Sequence, residues 1–141
     1  MNSPKVKTAN RKRRREKLQR QAAEMTELRA KVFARAGGRG ELCGLSSMPF
    51  MTVYRNGHTG THSGVVNQLA HLNGGIGRRR QQQSVENCVA EHEYCHHALD
   101  DRPLKWMERV KDHCARYNYP LPERFRILEA KQLQQKGVTN G

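Results

Sequence analysis

Three things are scarce in this chain of 141 residues: aromatic side chains, acidic side chains and long apolar runs. Aromatic residues make up 6% of the chain and hydrophobic residues 35%, which predicts one small domain with a thin core. No uninterrupted apolar run approaches the ~18 residues of a transmembrane helix, so no membrane role is expected. Four cysteines without an apolar signal segment predict a reducing, cytoplasmic compartment, where Cys near His indicates metal ligation.

Acidic residues are outnumbered two to one, since 13 Asp and Glu stand against 26 Lys and Arg and leave a net charge of +13. Residues 1–35 hold twelve basic and three acidic side chains. Such a density favours a polyanion through counterion release, without sequence specificity. We therefore expect a nucleic acid partner; the alternative is a solvated tail that only aids solubility. The expected contacts centre on the run RKRRR, which is Arg11, Lys12, Arg13, Arg14 and Arg15.

Apolar periodicity predicts a helix from about Asn10 to Ala36, which Gly37 and Gly38 end. Five apolar residues lie on one stripe of this helix, which would dock it on the domain or on a second copy of the chain. They are Leu18, Ala22, Met25, Leu28 and Val32.

The rest of the chain predicts two short strands followed by helices. FMTVY and VVNQLAHL are the strand candidates, and the turn-forming residues 56–64 between them predict a loop or hairpin tip. A helix is expected from about Val85 to Pro103, a second from Leu104 to Tyr117, and a third from Glu123 to about Gly137. The expected fold class is α+β.

The stretch SVENCVAEHEYCHHALDD concentrates metal-ligating side chains in the first of these later helices. His96 and Asp100 stand four residues apart and could hold one divalent ion from one helical face. His92 and Cys95 stand three apart and could supply half of a tetrahedral zinc site, with Cys43 as the third ligand. Two different metal sites could therefore start from one short helix.

The order His71, Asn87, His96, preceded by ELCG and a strand, adds a more specific pattern. With HLNGGIGRRR and ENCVAEHEYCHH it resembles the HNH nuclease family over about residues 32–103, and it looks most like small HNH proteins of bacteriophages. The resemblance implies a small ββα-metal (HNH, His-Me finger) core at 37–103. A basic helical DNA-binding arm at 1–36 and a C-terminal helical extension at 104–141 would flank that core.

The resemblance also implies roles for individual residues. His71 would be the general base, which suits an imidazole, and Asn87 would brace the loop that orients it. His96 would ligate a catalytic divalent ion (Mg²⁺, Mn²⁺, Ni²⁺ or Zn²⁺), with Asp100 as a second ligand. The DNA backbone would be held by the loop residues Arg78, Arg79 and Arg80.

Two positions depart from the family pattern. Where many members carry an Asp or His immediately before the base, this chain has Ala70, which predicts weak metal affinity or weak activity. Where relatives use two Cys-x-x-Cys pairs for a structural zinc, Cys43 is followed by Ser46 and His92 replaces a Cys. A fourth zinc donor such as His58 or His62 would then have to fold over.

Three functions remain open from the sequence. The first is a phage-encoded, metal-dependent DNA endonuclease or nickase of the host cytoplasm, which by resemblance works beside the packaging terminase and portal. The second is a DNA-binding protein that keeps the HNH scaffold without cleavage. The third is an RNA-binding basic protein, because the basic arm cannot distinguish the two polyanions.

Overall fold

The computed structural model describes residues 4–47, 50–55, 58–74 and 83–139. It is an α+β fold in which helices dominate, as the sequence predicts. The helices are α1 (Pro4–Ala36), α2 (Glu93–Asp101), α3 (Pro103–Tyr117) and α4 (Glu123–Thr139). The strands are β1 (Phe50–Arg55), β2 (His58–Ser63), β3 (Val66–His71) and β4 (Cys88–His92).

The strands form two antiparallel pairs, β1 with β2 and β3 with β4. In the second pair Ala70 lies opposite Val89 and His71 opposite Cys88. β4 runs directly into α2, because His92 keeps an extended backbone at the position before the first helical residue. The strand pair and α2 therefore form one continuous β-β-α unit.

All five residues of β4 are buried, because helices cover both of its faces. Its alternating side chains point to opposite sides. Cys88 and Ala90 pack with Leu28 and Val32 of α1. Val89 belongs to the larger core cluster, which α2, α3 and α4 complete with Leu99, Trp106, Met107, Val110, Cys114 and Phe125.

Two expectations about secondary structure are wrong. Residues 88–92 form a strand, so the helix expected from about Val85 begins at Glu93 instead. Alternating burial on two faces, with backbone hydrogen bonds to β3, outweighs the helix propensity of Ala and Glu in CVAEH. Residues 58–63, expected in a loop or hairpin tip, are the strand β2.

The expected end of α1 is confirmed, and its expected docking stripe is shorter than predicted. Gly37 and Gly38 follow the helix with φ of 61° and 80°, a left-handed conformation that glycine adopts without strain. Leu28 and Val32 are buried, whereas the side chain of Leu18 is 59% exposed. Residues 6–24 are all exposed, so the first part of α1 stands clear of the core. Within the described residues no helix has the length and apolar character that crossing a bilayer would require.

Candidate metal centre and candidate active site

Four side chains from three separate segments converge on one buried point. The ligand atoms of Cys43, Glu91, His92 and Cys95 all lie within 4.8 Å of one another. His92 Nδ1 is 3.4 Å from Cys43 Sγ and 4.0 Å from Cys95 Sγ. Ligand atoms around a tetrahedral ion bound at ~2.0–2.3 Å lie roughly 3.3–3.8 Å apart, so the group has the size of a metal site. These four residues can hold one metal ion.

Local backbone structure brings the four ligands together. Cys43 lies in a tight turn in which the Gly44 N–H donates to the Gly40 carbonyl at 2.8 Å. Glu91 and His92 end β4, and Cys95 lies in the first turn of α2. A Cβ on Gly40 would collide with Cys43 Sγ and lie 2.7 Å from Glu91 Oε2. Glycine at this position therefore keeps the space between the ligands open.

The hydrogen bonds of His92 and Glu91 leave ligand atoms free for a cation. His92 donates through Nε2–H to the Ser46 carbonyl at 3.3 Å, which directs the Nδ1 lone pair toward the two sulfurs. Glu91 Oε1 accepts from the Leu42 N–H, but the buried Oε2 has no hydrogen-bond partner. A buried oxygen without a partner is costly, and a cation would remove that cost.

The protonation states of the cluster also fit a cation. A hydrogen bond from Cys95 lowers the pKa of the Cys43 thiol, although burial opposes this. The same hydrogen bond and burial raise the pKa of Cys95. Burial, and then the negative charge of Cys43, raise the pKa of Glu91 to about 8. A metal ion would displace the protons of Cys95 and Glu91, because ligands bind deprotonated.

The structure brings together the three predicted zinc ligands Cys43, His92 and Cys95. Glu91 was not identified from the sequence as a candidate fourth donor; the only signal was an acidic residue directly after the apolar residues Val89 and Ala90. The backbone carbonyl of Ser46 accepts a hydrogen bond from His92. The side chains of the other suggested donors, His58 and His62, lie outside the described part of the structure.

His71 is the last residue of β3, and Asn87 directly precedes β4, at the end of the strand pair where the connecting segment joins the two strands. His71 Nε2 is 3.1 Å from Gln83 Oε1, an acceptor that requires the proton on Nε2 and leaves the Nδ1 lone pair free. Asn87 accepts from the Asn73 N–H at 2.8 Å and donates to the Asn73 carbonyl at 3.1 Å. Its own carbonyl accepts from the Leu72 N–H at 2.8 Å. Asn87 therefore holds the two residues that follow His71 in place by hydrogen bonds. The contact between Gln83 and His71 was not indicated by the sequence.

His96 and Asp100 face each other across one turn of α2. His96 Nε2 is 3.9 Å from Asp100 Oδ2, while its Nδ1 is 3.5 Å from Gln68 Oε1 on β3. Burial lowers the pKa of His96, as do the charges of His97 and His71, whereas Asp100 opposes this change. His71 is thus close enough to His96 for their charges to interact.

The His96–Asp100 pair has fewer protein ligands than the cysteine cluster. Asp100 also pairs with Arg124, at 3.4 Å between Nη1 and Oδ1. Across the described ranges, no third His, Cys, Asp or Glu joins His96 and Asp100 within 4.8 Å. Ala70 is fully buried in the core and offers no ligand atom.

A buried ion pair connects α1 to the turn that carries Cys43. Arg35 binds both carboxylate oxygens of Glu41, at 2.7 and 2.8 Å, and donates to the carbonyls of Val85 and Cys88. Glu41 also accepts from the Ala90 N–H at 3.0 Å. Only 3% of the Glu41 side chain is exposed, so Arg35 neutralises a buried charge beside the candidate metal centre.

The predicted DNA-binding residues fall into two groups. Arg11, Lys12, Arg13, Arg14 and Arg15 are exposed on the free part of α1, far along the helix from the buried Leu28 and Val32. Arg78, Arg79 and Arg80 lie outside the described residues.

No match to this chain is found among models of known protein families, among curated proteins or among solved structures.

Proposed function

We propose that this protein is a metal-dependent DNA endonuclease or nickase of the HNH type. The observation that carries the proposal is the placement of His71, Asn87 and His96 on one β-β-α unit. Asn87 holds the segment after His71, and the His71 and His96 rings interact electrostatically. A general base at the end of β3, held in place by hydrogen bonds and close to the His96–Asp100 pair, is suited to metal-assisted hydrolysis of a phosphodiester.

In this mechanism His71 accepts a proton from the attacking water through its free Nδ1. Gln83 holds the opposite ring nitrogen and Asn87 keeps the adjoining backbone in place. His96 and Asp100 would hold a divalent ion, which when bound neutralises the phosphate and stabilises the departing oxygen. His96 donates through Nδ1–H to Gln68 Oε1, so its Nε2 carries the free lone pair. Nε2 faces Asp100 and would be the atom that binds the ion.

The cluster of Cys43, Glu91, His92 and Cys95 is proposed to bind a structural zinc ion. Two sulfurs, one imidazole and one carboxylate are ligands that Zn²⁺ accepts in tetrahedral sites. Four protein ligands would fill a tetrahedral site and leave no open position for a substrate, and three of the four residues are almost fully buried. A small domain with a thin core gains stability from such a site.

The proposal is tested by converting supercoiled plasmid with purified protein in the presence of Mg²⁺, Mn²⁺, Ni²⁺ or Zn²⁺. Nicking that needs the ion and is lost in His71→Ala is the expected result. His97→Ala is the control for loss of an imidazole from α2, because His97 is exposed and its Nε2 pairs with Glu93. Nicking that survives His71→Ala would contradict the assignment of the base.

The second candidate is a DNA-binding protein that retains this scaffold without cleavage. The buried Ala70 favours it, since the His96–Asp100 pair lacks a third protein ligand among the described residues. This candidate predicts no plasmid conversion with any ion, while duplex DNA is still bound. Phage origin and work beside a terminase and portal are proposed from the family resemblance alone.

A further inference from the structure

The part of α1 that stands clear of the core carries positive charge on every side. Residues 6–24 are all exposed and include eight basic and two acidic side chains. At about 100° per residue, the eight cations leave no angular gap wider than roughly 80° around the helix. They are Lys7, Arg11, Lys12, Arg13, Arg14, Arg15, Lys17 and Arg20.

This distribution differs from that of two common kinds of basic helix. A helix that lies on a membrane surface needs a face that is apolar and free of charge, whereas Lys7, Arg11 and Arg14 share the side of the helix on which Leu18 lies. A helix that lies flat against one flank of a polyanion needs cations on that flank only. Cations on all sides are useful where phosphates surround the helix.

The free helix also contains two charge arrangements that destabilise an isolated helix. Its first turn contains no acidic residue to balance the helix dipole. Arg11 and Arg15 stand one turn apart, and like charges at this spacing destabilise a helix by a few tenths of a kcal/mol per pair. No ion pair to an acidic side chain offsets this for the eight cations within the described part of the chain. Surrounding phosphates would remove both penalties.

We infer that residues 6–24 of α1 insert into the major groove of duplex DNA. At about 1.5 Å per residue this segment is ~28 Å long, and an α-helix with its side chains is ~10–12 Å wide. The major groove of B-DNA is about 12 Å wide and has a phosphate backbone on each side, whereas that of duplex RNA is too narrow and deep. The inference deepens the proposed function, since it rests on DNA as the partner.

Two double variants on opposite sides of the helix test the inference. Arg11→Gln/Arg15→Gln removes two cations from one side, and Arg13→Gln/Arg20→Gln removes two from the other. Lys105→Gln/Lys131→Gln is the control, because it removes the same charge from exposed positions on α3 and α4. All are made in full-length His71→Ala protein, so that binding is measured whether or not the wild type cleaves DNA.

The measurement is the Kd for a 20-base-pair DNA duplex and for the corresponding RNA duplex, as a function of salt concentration. Each arm variant is expected to weaken DNA binding by the same factor, roughly ten- to fifty-fold at 0.1 M salt, and to reduce the salt slope by about 1.8. The control should change neither value. The RNA duplex should bind at least about tenfold more weakly than the DNA duplex.

Amide hydrogen exchange supplies a second readout, since residues 6–24 should exchange more slowly when the DNA duplex is bound. An effect confined to one side of the helix, equal affinity for both duplexes, or unchanged exchange would each overturn groove insertion. None of these outcomes bears on cleavage. The two proposals can fail separately. If the wild type nicks no plasmid but both arm variants bind DNA more weakly by the same factor, the nuclease proposal is refuted and groove insertion is retained.

Discussion

Replacing Glu91 with glutamine should change the stability of the metal-free protein and its metal affinity in opposite directions. Glu91 is fully buried and its pKa is raised from 4.5 to about 8. At pH 7 the folded metal-free protein therefore keeps a proton that the unfolded chain has lost. At about 1.4 kcal/mol per pH unit, this costs the folded state about 3 kcal/mol.

A glutamine side chain has no such cost and can still accept from the Leu42 N–H. We expect Glu91→Gln to raise the free energy of unfolding of metal-free protein by about 1–3 kcal/mol at pH 7, because the cost of keeping the proton is removed and the burial of an amide N–H group without a partner offsets part of that gain. This corresponds to roughly 3–10 °C in Tm. Metal affinity should fall, since a neutral amide replaces an anionic ligand.

The pH dependence follows from the same pKa. Because the folded state holds the extra proton between pH 4.5 and about 8, the stability advantage of Glu91→Gln over the wild type should grow across this range. Above pH 8 it should stay constant.

Thermal unfolding of protein freed of metal by a chelator, and titration with Zn²⁺, measure these effects. The exposed Glu86→Gln is the control and should behave as the wild type. Unchanged zinc affinity in Glu91→Gln would refute its assignment as a ligand.

Three further predictions follow from the same contacts. Arg35→Met leaves Glu41 buried without its counterion, so we expect a loss of about 3–5 kcal/mol in chemical denaturation, and removal of both charges should cost less than the two single losses together. Adding Zn²⁺ to chelated protein at a thousand times its Kd should raise the free energy of unfolding by about 4 kcal/mol in a thermal melt, and Cys95→Ser should abolish that gain. Asn87→Ala frees the backbone after His71, so plasmid nicking should fall about a hundredfold while gel-shift affinity for DNA stays unchanged.

Some parts of the fold could be predicted from residue types and their spacing. The end of α1 follows from Gly37 and Gly38, and α3 from a periodicity that buries Trp106 and Val110. The start of α2 could not be predicted, because Ala and Glu favour a helix whereas β4 exists only through its pairing with β3, about twenty residues earlier in the chain. The three-segment domain division remains a prediction.

The sequence by itself determined the distribution of charge and the chemistry of the candidate ligands. The basic arm, the order of His71, Asn87 and His96, and the presence of Cys and His near one another are all properties of local composition and spacing. These features need no distant partner to be recognised. They limited the metal centre to Cys43, His92 and Cys95, with its fourth donor open.

Only the tertiary structure decided that Glu91 completes this group and that Arg35 neutralises Glu41. An acidic residue in a sequence is expected at the surface, and its burial depends on which strands and helices cover it. Helices on both faces of β4 bury Glu91, and the fold places its carboxylate within 4.8 Å of the two sulfurs. The free-energy cost of burying the carboxylates of Glu91 and Glu41 comes from desolvation. Desolvation occurs only once the surrounding chain has packed.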